Sequence, residues 1–351
     1  MAGMTPVSRP IVVGNRRIGP GEPCYVIAEA GSNHDGSLEQ AYALIGAAAD
    51  AGVDAVKFQA IKYDELWVRE LETAEHQAFY SAIELPEAWL PQLARAAADR
   101  GIHFLCSPTY LRSVRLIDEA GAPAFKIASP QAVGDPLILR AVAATGKPAI
   151  LSTGYAAIGE IARAVRVLEE ANCAGLAMLQ CVAEYPSPAA RINLRAMEML
   201  SRRFHCAVGL SDHSPGIHIA PAAVAIGACL VEKHFTTDRR RPGPDHHFAL
   251  EPGELKDMVA HIRDVEAAMG DGGRDTNTVR EREQITRLEV RAIARAPIAA
   301  GARIAAADVI FRRAPDGLSA YDFEALEAPV AAEPIAARTP ITRAKLRGGS
   351  A

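Results

Sequence analysis

Short apolar runs alternate with amphipathic, alanine-rich stretches between about residues 24 and 268. Each run is continuous and bounded by turn residues, which is typical of strands that are buried on both faces. Eight such runs predict strands at Cys24–Glu29, Ala55–Gln59, His103–Ser107, Ala124–Ala128, Ala149–Ser152, Ala177–Cys181, Ala207–Ser211 and Cys229–His234.

The stretches between the runs are long enough for one helix each, and several show clear helical periodicity. The clearest patterns predict helices at Leu38–Ala51, Pro86–Arg100, Leu111–Ala120 and Ile158–Glu170. Eight strands in strict alternation with helices imply parallel pairing, and eight is the number that closes a (β/α)8 TIM barrel. An open doubly wound sheet is the alternative, but no glycine-rich dinucleotide-binding sequence follows the first strand. We therefore predict an α/β fold with a catalytic TIM barrel over residues 1–270.

The pattern changes after residue 270. Gly270–Arg274 is rich in glycine and charge and predicts a linker over residues 271–287, with a short charged helix around Thr278–Arg287. From Val290 onward the apolar positions form short alternating runs separated by turns. This pattern predicts a small β-rich domain over residues 288–351, with about 60 residues, near the lower limit for independent stability.

Composition narrows the function classes. With 49% hydrophobic and 23% charged residues, the chain has enough apolar surface for a large core, so disorder is not expected. The formal net charge of -4 gives no electrostatic reason to expect a nucleic-acid partner. The N-terminus has no long apolar run, so we expect neither a signal peptide nor a membrane span. The six cysteines lie mostly in apolar runs and are predicted to be reduced core residues of a cytoplasmic protein.

The predicted strands end in polar residues, and in a TIM barrel the catalytic residues come from these ends and the loops that follow. Lys57 and Gln59 share one face of their strand by its alternation. Lys57 and Lys126 lie within apolar strands, where an unpaired charge is costly, so an anionic ligand would explain both. The polar strand ends and the loops after them contain Glu29, Lys57, Gln59, Ser107, Lys126, Ser129, Ser152, Ser211, His213 and His234.

Each of these residues also has an ordinary structural interpretation. A lysine at a strand end is often a solvated cap, a single histidine is more often structural, and turns favour serine and threonine. Two lysines, two histidines, a glutamate and several hydroxyls at one barrel end are harder to explain in this way. Their joint occurrence favours a functional site.

The residue types indicate the chemistry of that site. Two lysines and several hydroxyl donors suit a substrate that carries phosphate and carboxylate. His213 and His234 follow or end adjacent strands and could hold one divalent metal with open positions, which would act as a Lewis acid on a carbonyl oxygen. An anion and a polarised carbonyl together indicate carbon–carbon bond formation or cleavage. A Schiff-base aldolase is the rival hypothesis, because such enzymes use a lysine in a barrel strand.

Several stretches of the sequence resemble the sialic acid synthase family, the phosphoenolpyruvate-condensing nonulosonate synthases. They occur in the family's order over nearly the whole chain, at Ile27–Gly36, Asp54–Gln59, Lys126–Ser129, Leu151–Gly154, Gly209–Ser214, Glu232–Thr236 and Arg241–His246. Ile298–Ile304 and Asp308–Arg313 are similar to the family's antifreeze-like SAF domain. A non-catalytic binding protein built around this domain is a third hypothesis, but it leaves the polar barrel end unexplained.

The resemblance implies a TIM barrel followed by a small β-clip SAF domain, in a domain-swapped homodimer. It also implies condensation of phosphoenolpyruvate with an open-chain N-acetylated amino sugar such as N-acetylmannosamine, with His213 and His234 binding manganese, or alternatively magnesium or cobalt. Glu29 would position or deprotonate a water molecule. The implied phosphoenolpyruvate ligands are Lys57, Ser107, Lys126, Ser129, Ser152 and Ser211, and the implied sugar contacts are Gln59, Tyr185, Asp245 and the partner subunit's Arg313.

Two positions depart from the family's pattern. Ala183 stands where some members have an asparagine, so one polar ligand contact is absent or replaced. The product therefore stays open between N-acetylneuraminate and the legionaminate or pseudaminate made from a 2,4-diacetamido-trideoxyhexose. Arg313 is followed by Ala314, Pro315 and Asp316 before the glycine, instead of the usual Arg-Pro-Gly, so the loop after it is expected to differ.

Overall fold

The computed structural model describes residues 9–273 and 278–347. The chain divides into two compact units, Met1–Gly270 and Asp271–Ala351. Part of the predicted linker, residues 274–277, lies outside the described residues, as do the first eight and last four residues of the chain. A helix at Val279–Leu288 occupies the other side of that gap, where the sequence predicted a short charged helix.

A short hairpin precedes the barrel and was not predicted. Strands β1 (Ile11–Val13) and β2 (Arg16–Ile18) pair antiparallel. Their buried residues Ile11, Val13 and Ile18 join one apolar cluster with barrel residues such as Tyr25 and Leu230. Strands of three residues are too short to show a clear period-2 pattern, which is why the sequence did not reveal them.

Eight parallel strands form the main sheet of the first unit, and each coincides with a predicted strand to within one or two residues. They are β3 (Tyr25–Gly31), β4 (Ala55–Ala60), β5 (His103–Pro108), β6 (Phe125–Ile127), β7 (Ala149–Ser152), β8 (Leu176–Cys181), β9 (Ala207–Asp212) and β10 (Leu230–His234). The first strand of the sheet, β3, pairs with the last, β10, as well as with β4. Strands β5 and β6 pack against each other and complete the ring. The predicted (β/α)8 barrel is confirmed, and the open doubly wound sheet is not the architecture of this unit.

Helices surround the strands and follow the predicted order. They are α1 (Leu38–Asp50), α2 (Tyr63–Leu66), α3 (Ala74–Ala82), α4 (Leu90–Asp99), α5 (Leu111–Glu119), α6 (Ser129–Gly134), α7 (Pro136–Ala144), α8 (Ile158–Glu170), α9 (Ala196–Phe204), α10 (Ile219–Ala225) and α11 (Pro252–Met269). Ser37 caps α1 by accepting a hydrogen bond from the backbone N–H of Gln40. The extra helices α2 and α3 belong to a long connection between β4 and α4. None of the helices within residues 9–273 and 278–347 has both the length and the hydropathy needed to cross a membrane.

The alternation of side chains along each strand determines which residues point into the barrel interior, where the candidate site lies. On β3, Val26 and Ala28 face the surrounding helices, whereas Tyr25 and Ile27 belong to the apolar cluster inside the barrel. The next inward position is Glu29, which is also buried. The barrel interior therefore changes from apolar to charged within one step of the alternation, towards the C-terminal ends of the strands.

All six cysteines are free thiols, and Cys173 alone among them is only half-buried. This agrees with the predicted reduced core residues. Burial raises the pKa of the Cys106 and Cys24 thiols, which keeps both thiols protonated and unreactive.

The second unit has its own small core. Helix α12 (Val279–Leu288) is followed by strands β11 (Val290–Ala294) and β12 (Val309–Arg313), which pair antiparallel, and by helix α13 (Ala320–Glu324). Ala292, Ile304, Phe323 and Ile341 contribute to one buried apolar cluster. The small β-rich domain predicted from Val290 onward is therefore present. Its described residues contain two five-residue strands and several isolated β-bridges.

Candidate active site

A cavity of about 270 Å³ opens among the C-terminal ends of the barrel strands. Because parallel strands bring these ends together, residues far apart in the sequence become neighbours there. Most of the predicted site residues line this cavity: Glu29, Lys57, Gln59, Lys126, Ser129, Ser152, Tyr185, Ser211, His213 and His234.

Three predicted residues lie elsewhere. Ser107 is fully buried behind the cavity, where its hydroxyl accepts a hydrogen bond from Lys57 Nζ at 3.2 Å. Asp245 lies beside the cavity, with Oδ2 3.6 Å from His234 Nδ1. Arg313 is exposed at the end of β12 in the second unit. The roles implied for these residues remain predictions.

Four buried charges form a network at the floor of the cavity. Lys57 Nζ lies 2.9 Å from Glu29 Oε2 and 3.6 Å from Glu232 Oε2. Lys126 Nζ lies 3.4 Å from Glu232 Oε1. Gln59 donates a hydrogen bond to Glu29 at 2.7 Å. Two cations thus share two carboxylates away from water, an arrangement that would be costly if a carboxylate were left without a cation.

The pKa values show which members of the network are held in their charged form. Burial lowers the pKa of Lys57, but attraction by Glu232 and Glu29 outweighs it and raises the pKa overall. Burial raises the pKa of Glu232, but Lys126 and Lys57 outweigh it and lower the pKa overall. Burial dominates at the other two groups, raising the pKa of Glu29 and lowering that of Lys126. Glu29 and Lys126 are therefore the members shifted towards neutrality.

Two neutral imidazoles lie edge to face beside this network. The ring centroids of His213 and His234 are 5.3 Å apart. The carbonyl of Val182 can only accept, so His213 donates to it from Nδ1 at 2.8 Å and keeps a free lone pair on Nε2. Burial lowers the pKa of both rings, which favours the neutral form that binds metals.

The histidine pair fits a divalent metal by its own chemistry. His234 Nδ1 is buried and has no hydrogen-bond partner among the described residues, as expected of a nitrogen that serves another ligand. Within the described residues, no three or more side chains of histidine, cysteine, aspartate or glutamate come together as a ready metal cluster. An ion held by the two imidazoles would thus keep positions open for water or substrate.

Glu232 is the main residue that the sequence analysis did not select. It precedes His234 by two positions, so the strand alternation places both side chains inside the barrel. Ser211 donates a hydrogen bond to it at 3.1 Å. The alternation could have identified this glutamate. In contrast, Trp67 and Tyr80 line the cavity from the connection between β4 and α4, which the rule of strand ends does not cover.

The departure at Ala183 has a structural counterpart. Ala183 is half-buried and packs beside Gly154, where an added Cβ would lie 3.2 Å from the Ala183 methyl and 2.9 Å from Ser129 Oγ. The backbone N–H of Gly154 donates to that same Ser129 hydroxyl at 2.9 Å. The loops after β6, β7 and β8 are therefore tightly packed at this point, and an alanine brings no hydrogen-bonding side chain to it.

The chain is similar to known proteins over most of its length. Residues 44–274 match the NeuB family and residues 292–347 match the SAF domain. The chain is 39% identical over 312 residues to N,N'-diacetyllegionaminic acid synthase of Campylobacter jejuni, covering 85% of this chain and 93% of that protein. It is 32% identical to human N-acetylneuraminate-9-phosphate synthase, covering 73% of this chain and 74% of that protein.

A solved structure is similar in three dimensions as well. The N-acetylneuraminic acid synthetase of Leptospira borgpetersenii, crystallised with citrate, superimposes with a TM-score of 0.72 at 34% sequence identity. The match covers 79% of this chain and 95% of that one.

Proposed function

Because the chain belongs to the NeuB family and carries a SAF domain, we propose that it is a nonulosonate synthase that condenses phosphoenolpyruvate with an open-chain N-acylated amino sugar and water, and releases phosphate. The observation that carries the proposal is the cavity itself. It combines two buried lysines with two neutral histidines at one barrel end.

The lysine side of the cavity suits phosphoenolpyruvate. This substrate carries a phosphate and a carboxylate, and Lys57 and Lys126 would bind these groups with charge-assisted hydrogen bonds. Ser152 adds a buried hydroxyl that has no partner among the described residues and is free to donate. Ser129 and Ser211 line the same floor, and Ser107 supports Lys57 from behind.

The histidine side suits the aldehyde. His213 and His234 would hold a divalent ion, which we propose to be manganese, with magnesium or cobalt as alternatives. Such an ion polarises a carbonyl oxygen when bound. Asp245 lies 3.6 Å from His234, and Gln59 and Tyr185 line the same cavity. We propose that these three residues contact the sugar.

The proposed reaction forms one carbon–carbon bond and breaks one carbon–oxygen bond. C3 of phosphoenolpyruvate bonds to the aldehyde carbon, whose oxygen takes a proton, and water adds at C2. The bond between C2 and the bridging oxygen then breaks, phosphate leaves, and the C2 hydroxyl loses its proton to give the keto acid. Glu29 is proposed to position or deprotonate the water, since burial raises its pKa towards the range where a carboxylate is an effective base.

The SAF domain is proposed to complete the site in a domain-swapped homodimer. The partner subunit's Arg313 would then close over the N-acyl group. The acceptor stays open between N-acetylmannosamine and a 2,4-diacetamido-trideoxyhexose, and the product between sialic, legionaminic and pseudaminic acid.

One observation supports a second candidate function, that of a Schiff-base pyruvate aldolase. Burial lowers the pKa of Lys126, and a lysine shifted towards its neutral form is what a Schiff-base pyruvate aldolase requires. This enzyme would use pyruvate instead of phosphoenolpyruvate and would need no metal. It would also be trapped by borohydride in the presence of pyruvate.

The experiment is a panel of aldehyde sugars incubated with the protein, phosphoenolpyruvate and manganese, with released phosphate measured. We expect phosphate release that depends on an N-acylated amino sugar and stops in the presence of a chelator. The His213→Ala variant is the matched control, with an intact lysine floor. Phosphate release that is independent of any sugar, or a borohydride-trapped pyruvate adduct without metal, would overturn the proposal.

A further inference from the structure

The connection between β4 and α4 forms one wall of the cavity. It contains the short helices α2 and α3 and contributes Leu66, Trp67 and Tyr80 to the lining. Ile61, at the start of the same connection, continues this surface towards the barrel. The wall is therefore built of aliphatic and aromatic side chains, whereas the floor is built of charges.

The wall is held in place by packing. The ring of Trp67 lies 4.1 Å from that of Tyr80 and 5.5 Å from that of Tyr63, measured between centroids. Tyr63 is fully buried, and its backbone N–H donates to the carboxylate of Glu84 at 2.6 Å. The backbone N–H of Trp67 donates in turn to the Tyr63 carbonyl at 3.0 Å. Trp67 thus stands on a buried aromatic base that fixes its ring beside the cavity.

The charged side chains of the cavity are contributed by the barrel strands at its floor. In the part of the barrel unit that the structure describes, the cations lining the cavity are Lys57 and Lys126, and both are paired with carboxylates at the floor. Among the described residues, the side chains of this wall that line the cavity include no cation. A phosphate on the acceptor that lay against this wall would therefore face aromatic rings and lose hydration without gaining a charged partner there.

We propose that Trp67 and Tyr80 form a platform that binds the apolar substituents of the acceptor sugar, such as the methyl of an acylamino group or a deoxygenated carbon. The platform selects an uncharged acylamino sugar over its phosphate ester. This inference rests on the proposed function and specifies its acceptor. Its physical basis is the removal of methyl groups from water against a rigid aromatic surface.

The test compares the steady-state kinetics of full-length variants at saturating manganese. Trp67→Ala removes the platform, Trp67→Phe keeps an aromatic ring, and Trp67→Leu keeps an apolar side chain without a ring. Phe79→Ala is the matched control, because Phe79 neighbours Tyr80 on α3 but is 47% exposed and is not one of the residues that line the cavity. The acceptors are N-acetylmannosamine, 2,4-diacetamido-2,4,6-trideoxymannose and N-acetylmannosamine 6-phosphate.

We expect Trp67→Ala to raise the KM for the uncharged acceptor by roughly tenfold, the effect of about two exposed methyl groups. The KM for phosphoenolpyruvate should stay within about twofold, because that substrate binds at the floor. Trp67→Phe should recover most of the loss and Phe79→Ala should match the unmodified protein. If Trp67→Ala does not fold, Trp67→Leu carries the same expectation.

Two results overturn the platform while leaving the synthase intact: an unchanged acceptor KM in folded Trp67→Ala and Trp67→Leu, or a preference of the unmodified protein for the 6-phosphate. Phosphate release that requires none of the three acceptors is a different failure. It overturns the proposed function, and the platform falls with it.

Discussion

Lys57 and Lys126 are both proposed to bind phosphoenolpyruvate, but the structure predicts that replacing them has different consequences. Lys126 contacts one carboxylate, Glu232, which keeps Lys57 at 3.6 Å and the Ser211 hydroxyl at 3.1 Å when Lys126 is removed. Lys57 is the cation beside Glu29, at 2.9 Å. Losing Lys57 leaves Glu29 with Gln59 alone.

These contacts determine how much each substitution should change phosphoenolpyruvate affinity and the free energy of unfolding. A charge-assisted hydrogen bond contributes roughly 1.5–3 kcal/mol, so Lys126→Met should weaken phosphoenolpyruvate binding by about one to two powers of ten. The same variant should change the free energy of unfolding by less than about 1 kcal/mol, because no buried carboxylate is left unpaired. Lys57→Met should weaken binding and also cost up to about 3–5 kcal/mol of stability. Protonation of Glu29 would reduce that cost, because burial already raises its pKa.

The assay pairs calorimetric titration of phosphoenolpyruvate with urea unfolding of the same preparations. Lys256→Met is the control, since Lys256 is an exposed lysine on α11. We expect Lys126→Met to lose affinity but not stability, and Lys57→Met to lose both. Equal destabilisation by the two variants, or affinity within about twofold of the unmodified protein in Lys126→Met, would refute the account of the floor.

Three further predictions concern the histidines, the buried pair behind them and the SAF domain. Burial lowers the pKa of His213 and His234 below the usual 6.5. Manganese affinity, measured by calorimetry, should therefore have its full value above pH 6.5 and should decrease as the pH falls through the lower pKa values of the folded protein. An affinity that does not change with pH would contradict this. Lys233 and Asp212 form a buried pair at 2.8 Å, so Lys233→Met should cost about 3–5 kcal/mol in urea unfolding, and adding Asp212→Leu should recover part of it; simple additivity would argue against the pair. Mixing Arg313→Ala chains with His213→Ala chains should restore some phosphate release after subunit exchange, whereas no recovery would show that the arginine does not act across subunits.

The barrel could be predicted from sequence because its strands are buried on both faces. Runs such as Ala149–Ser152 and Ala177–Cys181 are therefore continuous and apolar, and the structure has strands there. The site residues followed from the same pattern, since a polar residue that ends such a run has to lie at the barrel end. Gln59 and His234 were found in this way and line the cavity.

Other parts depend on contacts that no local pattern encodes. Trp67 reaches the cavity from the connection between β4 and α4. The path of this connection is determined by the packing of Trp67 on Tyr63 and by the hydrogen bond from the Tyr63 backbone N–H to Glu84. The pKa values of Lys57 and Lys126 shift in opposite directions because the two lysines lie at different distances from Glu29 and Glu232. Only the folded barrel shows these distances. The strand alternation could have placed Glu232 in the interior, but its partners Lys57, Lys126 and Ser211 are shown only by the folded structure.

The most direct test of the account uses phosphoenolpyruvate labelled with ¹⁸O at its bridging oxygen. The protein is incubated with this substrate, manganese and the acceptor sugar, and both products are examined by mass spectrometry. The account predicts a keto acid that joins the two carbon chains, with the label in the released phosphate, because the bond between C2 and the bridging oxygen breaks. Label retained in the organic product, or the same keto acid formed from pyruvate without phosphoenolpyruvate or metal, would contradict it.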